Sequence, residues 1–200
     1  TKEGNMVTQH MYKYYNDAGE HMASKFRRTN DKTFWSEGDL KNCGLFGQNL
    51  FNQGGKFITV CEGELDAMSA YELMGSKWPS VSLKNGAASA LNNCKQALRY
   101  LSKFDTIVLC FDNDEPGRAA AQEVAKLFEP NKCKIVDLEL KDANEYLKTG
   151  QRQKFTEAWW NSRTYTPAGI INLADLGRSL YEETHNETCP YPWSGMNDKT

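Results

Sequence analysis

Short apolar runs alternate with helical patterns through the middle of the chain. Four of the runs are rich in β-branched and other apolar residues, which is typical of buried strands. They are KFITVC (Lys56 to Cys61), PSVSL (79–83), TIVLCF (106–111) and CKIVDLEL (133–140).

The segments between these runs have helical spacing. In ELDAMSAYELMG, Ala67, Ala70, Tyr71 and Met74 fall on one helical face, and Gly75 ends the pattern. Strands separated by helices predict βαβ units, a mainly parallel sheet flanked by helices, and an α/β fold class. The other predicted helices are AASALNNCKQALRYLSKF, PGRAAAQEVAKLF, ANEYLKTG and QKFTEAWW.

The two ends of the chain have a different pattern. YKYYNDAGEHMASKFRR predicts two strands around a turn at Asn16–Gly19. INLADLGRSLYEET, near the other end, predicts a helix that is followed by proline-containing chain. We therefore expect a small N-terminal β-rich subdomain over 1–53, a catalytic domain over 54–163, and a linker with a helix over 164–200.

Composition narrows the class of protein. The chain is 40% hydrophobic and 25% charged, and its net charge of −2 excludes a protein that binds nucleic acid through overall charge. No apolar run is long enough for a membrane span, and the polar start is not a signal peptide. The six cysteines form no C-x-x-C pair, so we expect no zinc site, no disulfide framework and a reducing cytoplasm. The missing initiator Met indicates a fragment of a longer protein.

Acidic residues concentrate where three of the predicted strands end. The carboxyl ends of parallel strands lie at one edge of a sheet, so these carboxylates should meet there. Close carboxylates repel one another, and a divalent cation with oxygen ligands, such as Mg²⁺, relieves that repulsion. The acids are Glu62, Glu64, Asp66, Asp112, Asp114, Glu115 and Asp142.

Helix capping is the alternative explanation for some of these acids. A carboxylate in the first turn of a helix interacts favourably with the helix dipole and with free backbone N–H groups. Taken singly, Glu64, Asp66 and Glu115 fit that role as well as a metal site, and Asp112 and Asp114 fit it less well.

A strand that ends in Glu-Gly, followed by a strand that ends in D-x-D, resembles the Toprim fold of primases, topoisomerases and some nucleases. The segments LFG, GGKFITVCEGELDAMSAYEL, SVSLKNGAASA, FDNDEPGRAAAQEVAKLF and KDANEYL resemble, in that order, the primase half of the bifunctional primase–helicases of short-tailed T-odd phages. The Twinkle helicase is a more distant relative. The resemblance runs from Lys25 to Thr200. It implies a Toprim fold and a DNA primase that synthesises RNA primers.

The resemblance also implies residue roles. Glu62 matches the glutamate that serves as a general base or metal ligand. The catalytic residues implied are Glu62, Asp112, Asp114, Lys25 and Lys32. The metal, Mg²⁺ or Mn²⁺, would be bound by Glu62, Asp112, Asp114, Asp142 and Asp66, with Asp66 and Glu64 as second choices.

Positive and aromatic side chains complete the expected site. LKNG, at Lys84, departs from the Gly-His-Gly of relatives, and Lys141 and Arg118 are candidate phosphate contacts; surface charge is the alternative for the basic residues. The nucleotide or template contacts implied are Lys25, Arg27, Lys32, Lys84, Asn85 and Lys141. The candidates for base stacking, with core packing as the alternative, are Trp35, Phe46, Trp159 and Trp160.

The implied substrates are single-stranded DNA template and ribonucleoside triphosphates, in the cytoplasm of the host cell. The implied neighbours are an N-terminal zinc ribbon, a C-terminal helicase and a replication polymerase, and we expect this piece to be monomeric. Two alternatives stay open. One is a catalytically weak scaffold or single-strand binder of a Twinkle-like helicase, and the other is a Toprim nuclease or topoisomerase piece.

Overall fold

A five-stranded sheet carries the site. The computed structural model describes residues 2–4, 6–31 and 33–167. The sheet has the strand order β10-β9-β8-β6-β7; β7, β6, β8 and β9 are parallel, and β10 is antiparallel at the edge. The strands in chain order are β1 (Lys2–Glu3), β2 (Met6–Val7), β3 (Gln9–Tyr15), β4 (His21–Arg28), β5 (Phe34–Gly38), β6 (Gly55–Cys61), β7 (Ser80–Ser82), β8 (Phe104–Cys110), β9 (Cys133–Ile135) and β10 (Arg163–Thr164).

Helices cover the sheet, as the alternating pattern predicts. They are α1 (Glu64–Leu73), α2 (Ala90–Gln96), α3 (Leu98–Leu101), α4 (Glu115–Ala125), α5 (Ala143–Lys148) and α6 (Arg152–Trp160). The prediction of one helix over 87–104 was wrong. A 3-10 turn over Ala87–Ser89 precedes α2, and Ala97 separates α2 from α3 because its φ of −90° and ψ of 9° leave the helical region.

The fourth predicted strand is shorter than the apolar run CKIVDLEL. Strand β9 ends at Ile135. The Val136 N–H still donates to the Leu109 carbonyl of β8 at 3.0 Å, and the residues that follow are hydrogen-bonded by side chains. The Asn113 side chain donates to the Leu138 carbonyl, and the Tyr146 hydroxyl accepts from the backbone N–H groups of Glu139 and Leu140. Side-chain hydrogen bonds of this kind are not visible in a hydrophobic pattern.

The core lies on both faces of the parallel sheet. Because side chains alternate along a strand, Ile58 and Val60 pack on one face and Cys61 on the other. The five cysteines of the described part are buried and free of disulfides, while Cys189 lies outside that part.

The N-terminal strands form a separate three-stranded antiparallel sheet in the order β3-β4-β5. The predicted turn is present, with the Gly19 N–H donating to the Asn16 carbonyl at 3.0 Å, whereas β5 was not predicted. Tyr12, Tyr14 and Ala23 form its buried face, against which Leu65 of α1 packs. The small sheet therefore reaches the beginning of α1, where the acids lie.

Two sequence predictions stay open. The linker helix over 171–184 lies outside the described residues, and the domain limits of 1–53, 54–163 and 164–200 stay predictions. In the part of the chain that the structure describes, no helix has both the length and the apolar character to cross a membrane.

Candidate active site

The acids meet at the carboxyl edge of the parallel sheet. Glu62 directly follows β6, and Asp112 comes two residues after the end of β8. Asp142 immediately precedes α5, and Asp66 lies in the first turn of α1. The three strand ends named in the sequence analysis therefore supply one group of carboxylates.

Glu62 has one satisfied and one unsatisfied carboxylate oxygen. Its Oε1 accepts a hydrogen bond from the Ala87 N–H at 3.0 Å. Its Oε2 is buried and has no hydrogen-bond partner in the described part of the chain. Gly86, with φ +71°, lets the loop approach closely, since a Cβ there would lie 3.2 Å from Oε1. An unpaired buried carboxylate oxygen is costly unless a ligand or cation binds it.

The pKa of Asp66 depends on the other acids of the site. Burial raises the pKa of Asp66 to about 7, and the negative charges of Asp142, Asp112 and Glu62 add to that rise. Its Oδ1 accepts from the Asn144 N–H at 3.3 Å, which opposes the rise. Four carboxylates are thus close enough to repel one another.

The pKa of Asp112 is also raised by burial and by neighbouring acids. Burial raises the pKa of Asp112 to about 6, followed by the charge of Glu62, and Lys141 opposes the rise. The Lys141 Nζ lies 3.5 Å from the Asp112 Oδ2. Lys141 therefore reaches the site, although its own side chain is largely exposed.

Two of the acids also cap helices. The Asp114 Oδ1 accepts from the Gly117 N–H at 2.8 Å at the start of α4, and the Asp142 Oδ1 accepts from the Glu145 N–H at 2.8 Å at the start of α5. Capping was considered for Glu115, which is exposed in the first turn without acting as the cap residue. Because Asp114 and Asp142 are the cap residues, α4 and α5 both begin at the acidic edge.

These residues fit a divalent cation in chemistry but are not assembled around one. The mutual repulsion of the carboxylates and the unpaired Oε2 of Glu62 both favour a bound cation. Within residues 2–4, 6–31 and 33–167, no three His, Cys, Asp or Glu side chains are close enough to bind one ion together. A cation held by one or two of these carboxylates and by water does not need such a group of three.

Glu64 points to the small sheet. It is buried, and its Oε1 accepts from the Tyr14 hydroxyl at 2.6 Å and pairs with the Lys25 Nζ at 2.7 Å. Lys25 also donates to the Lys84 carbonyl at 2.8 Å. These contacts join β3, β4 and α1 to the loop that follows β7.

Lys84 is buried on the other side of that loop. Its Nζ donates to the carbonyls of Lys41 and Cys43 and to the Gln96 side chain, at 2.8–3.0 Å. Burial lowers the pKa of Lys84. Its predicted role in nucleotide or template binding is not tested, and its neighbour Asn85 is exposed.

The structure adds Phe34, a residue that the sequence analysis missed. Its ring is 51% exposed, with the Lys25 Nζ 5.2 Å and the Arg27 guanidinium 5.5 Å from its centroid. The signal would have been the pairing of Phe34 with Arg27, which requires β5 to be recognised as a strand. Lys32 lies outside the described residues.

The other candidates for stacking have packing partners. Trp35 stacks on Phe26 with centroids 5.1 Å apart, and Phe46 packs against Tyr12 and Tyr14.

The other two tryptophans among the stacking candidates, Trp159 and Trp160, lie at the end of α6. Trp159 is buried and donates to the Thr59 hydroxyl, whereas Trp160 is 49% exposed. Arg118 donates to the Asn113 side chain.

Comparison with known proteins agrees with this architecture. The Toprim-like family matches residues 59–147. The DNA helicase/primase of Enterobacteria phage T3 is 34% identical and aligns with 97% of this chain, which spans 35% of that protein's length. The chloroplastic/mitochondrial Twinkle homolog of Arabidopsis thaliana is 27% identical and aligns with 76% of this chain and 27% of its own.

A solved structure is also similar. It contains the bacteriophage T7 lagging-strand DNA polymerase with the primase domains of two gp4 subunits. The match has a TM-score of 0.72 and 35% identity, and covers 78% of this chain and 79% of the matched chain. The chain therefore belongs to the Toprim-fold DNA primases, in the branch of the phage primase–helicases and their Twinkle relatives.

Proposed function

We propose that this chain catalyses metal-dependent synthesis of RNA primers from ribonucleoside triphosphates on single-stranded DNA. The observation that carries the proposal is the convergence of Glu62, Asp66, Asp112 and Asp142, whose like charges help to raise the pKa of Asp66 to about 7. Because the chain belongs to a family of DNA primases, primer synthesis is the reaction that we assign to this acidic edge. The similar phage structure contains a DNA polymerase that interacts with primase domains, bound to an RNA/DNA hybrid and dTTP.

Phosphodiester formation needs an activated hydroxyl and neutralised phosphate charge. Mg²⁺ or Mn²⁺ would supply the positive charge that screens the phosphates. The residues that would hold it are Glu62, Asp66, Asp112, Asp114 and Asp142. Burial and like charges favour a bound cation at this edge, since they raise the pKa values of Asp66 and Asp112 and make these two carboxylates costly to ionise without one.

Glu62 is the proposed base for the 3′-hydroxyl of the first nucleotide, as the alternative to its role as a metal ligand. Its Oε1 is held by the Ala87 N–H, so the unpaired Oε2 is the atom available to take the proton. A base within hydrogen-bond reach of the hydroxyl increases the nucleophilicity of its oxygen for attack on the α-phosphate of the next nucleoside triphosphate. The new O–P bond forms as the bond to the β-phosphate breaks, and pyrophosphate leaves.

Positive and aromatic groups at β4 and β5 position the substrates. We place phosphates at Lys25, Arg27 and Lys141, and a base on the exposed ring of Phe34. An aromatic ring binds bases with little sequence preference, which suits a template strand. Roles for Lys32, Lys84 and Asn85 in nucleotide or template binding belong to the same proposal.

Glu64 has a positioning role in this scheme. As the buried partner of Lys25 and Tyr14, it orients Lys25 toward the loop that begins at Lys84. Asp66 and Glu64 are both second choices as metal ligands in the sequence analysis; we now expect metal binding to depend on Asp112 and Asp66 more than on Glu64.

We also propose partners and a location. The proposed partners are a zinc ribbon, a helicase and a replication polymerase that receives the primer, and the proposed location is the host cytoplasm. The name of the T3 relative, a DNA helicase/primase, supports the helicase, and the T7 structure of a polymerase with primase domains supports the polymerase.

The test is a primer-synthesis assay with ribonucleotides, a single-stranded template and Mg²⁺ or Mn²⁺, with a zinc-ribbon domain added in trans. The wild type should form a labelled dinucleotide, Asp112→Asn should lose at least a hundredfold in rate, and Asp105→Asn should match the wild type. If the wild type forms no dinucleotide, the primase proposal fails. If it does and Asp112→Asn is fully active, the metal assignment fails.

A further inference from the structure

A polar cleft lies beside the acidic edge, on the far side of the loop that follows β7. We call it the lateral cleft. Its volume is about 770 Å³. Its walls are the β3–β4 turn (16–19), the segment 41–52, and α2 and α3 with the residues that follow them, to Lys103. A cleft of this size is large enough for a nucleotide-sized ligand.

The lateral cleft is positively charged although the whole chain is not. Lys41, Lys84, Arg99 and Lys103 line it, and Asp17 is its only lining carboxylate in the described part of the chain. The Asp17 Oδ1 accepts from the Gln48 side chain at 2.8 Å. Against a net charge of −2 for the chain, this excess of cations is local.

None of the four cations forms an ion pair with a carboxylate among the residues that the structure describes. The Lys103 Nζ donates to the Asn52 carbonyl at 3.0 Å, and Lys41 and Arg99 are exposed. Cations without a counter-ion around a cleft favour an anionic ligand.

Lys84 strengthens this conclusion because it is buried. Its three side-chain hydrogen bonds go to neutral acceptors, and the charge of Asp39 offsets its own charge only from a distance. Burial lowers the pKa of Lys84, as expected for an ammonium group whose charge is poorly compensated. An anion in the lateral cleft would stabilise it.

Tyr100 is a second buried group without a partner. It lines the lateral cleft, it is 6% exposed, and its hydroxyl has no hydrogen-bond partner within the described residues. A buried hydroxyl without a partner is destabilising, and a hydrogen-bond acceptor on a ligand would relieve that cost.

Amide side chains supply the rest of the polar lining. Asn42, Gln48, Asn49, Asn93 and Gln96 are among them, and amides can both donate to and accept from base edges.

The lateral cleft also adjoins the acidic edge. Lys84 leads through Asn85 and Gly86 to Ala87, whose N–H holds Glu62. The Lys84 side chain therefore faces the lateral cleft while the end of its loop contacts the active site.

We propose that the lateral cleft binds a single-stranded nucleic acid segment through its phosphates, with Lys41, Arg99 and Lys103 as the phosphate contacts. That the segment is the template strand next to the site of synthesis rests on the proposed function. The shared chemistry is that of nucleotide phosphates, so a free nucleoside triphosphate is the competing source.

The experiment measures fluorescence anisotropy of a labelled twelve-nucleotide oligo(dT) without divalent metal, over a range of salt concentrations. The variant is Arg99→Glu/Lys103→Glu. The matched control is Lys77→Glu/Lys148→Glu, which makes the same charge change at exposed positions outside the lateral cleft. Arg99→Gln/Lys103→Gln is the second variant if charge reversal prevents folding.

The cleft variant should bind at least tenfold more weakly than the wild type, and the control within twofold. Loss of two phosphate contacts lowers the slope of log K against log[salt] by about 1.4, since each contact on a single strand contributes about 0.7. Equal affinity of wild type and cleft variant, or equal loss in the control, overturns the proposal. A labelled nucleoside triphosphate should bind both proteins equally; if it alone loses affinity, the strand assignment is wrong.

Primer synthesis is assayed in parallel. If the wild type makes primer and the cleft variant binds oligo(dT) as tightly as the wild type, only the proposal for the lateral cleft is refuted. If the wild type makes no primer but binds DNA through Arg99 and Lys103, the primase proposal is refuted. The proposal that the lateral cleft binds single-stranded nucleic acid then still holds.

Discussion

Lys25 and Glu64 form an ion pair of 2.7 Å between β4 of the small sheet and α1 of the parallel-sheet domain, with side chains 14% and 5% exposed. The Tyr14 hydroxyl donates to the same Glu64 oxygen at 2.6 Å. Removing one member of a buried pair leaves the other charge unpaired, which costs more than the pair itself contributes. The pair therefore ties the basic strands to the acidic edge.

Glu64→Gln should lower the free energy of unfolding by about 3 kcal/mol, because Lys25 stays buried without its counter-ion. Urea unfolding measures the change. Glu123→Gln removes the partner of Lys126 in an exposed pair, and should cost less than about 1 kcal/mol. Equal losses in the free energy of unfolding would show that the buried Lys25–Glu64 pair contributes no more to stability than the exposed pair.

Stability should fall as the pH rises from about 4 to about 7 in the absence of metal. An unfolded aspartate titrates near pH 4, whereas burial and the neighbouring carboxylates raise the pKa of Asp66 to about 7 in the folded chain. In this window the unfolded chain releases a proton that the folded chain keeps, so the free energy of unfolding decreases with pH, by roughly 2–4 kcal/mol from Asp66.

Thermal unfolding of the wild type and Asp66→Asn at pH 5 and pH 8 measures this decrease. Asparagine keeps the acceptor for the Asn144 N–H and cannot ionise, so the variant should lose less stability between the two pH values. A wild type and variant with the same pH dependence would show that Asp66 titrates normally. Millimolar Mg²⁺ at pH 8 should stabilise the wild type more than Asp66→Asn, because a cation relieves the repulsion.

Asp114→Ser separates capping from catalysis. Serine also accepts the hydrogen bond from the Gly117 N–H, so unfolding should change by less than about 0.5 kcal/mol. Loss of the carboxylate should reduce primer synthesis at least tenfold. Asp114→Ala, which removes both functions, should add a stability loss of about 1 kcal/mol. Full activity of the serine variant would leave Asp114 as a helix cap only.

Phe34→Ala should weaken binding of single-stranded DNA by about 1–3 kcal/mol, since a base loses its stacking partner between Lys25 and Arg27. Unfolding should change little because the ring is half exposed. Phe34→Trp preserves the ring and should retain binding, and Leu98→Ala is the control at an exposed apolar position. An alanine variant that binds like the wild type would exclude Phe34 as a stacking platform.

Much of the fold could be predicted because its signals are local. The β-branched runs that became β6 and β8 are buried, and their order between helices requires a parallel sheet. The same logic places Glu62 and Asp112 at one edge, since parallel strands bring their carboxyl ends together. Family membership, expected from the ordered motifs, is confirmed.

Other features depend on contacts between distant residues. Glu64 and Asp66 are two positions apart in one helical turn, yet Glu64 pairs with Lys25 and Asp66 faces Asp142. No local pattern distinguishes them, because their partners come from elements far away in sequence. The same holds for Phe34 and for the buried Lys84.

The sequence by itself determined the class of fold, the edge at which the acids meet and the family, because strand burial, helix periodicity and motif order are properties of neighbouring residues. Only the tertiary structure decided which acids cap helices, which are paired with lysines, and which one keeps an unpaired oxygen. Those roles depend on burial and on the charges that packing brings within a few ångströms, and chain order does not specify either.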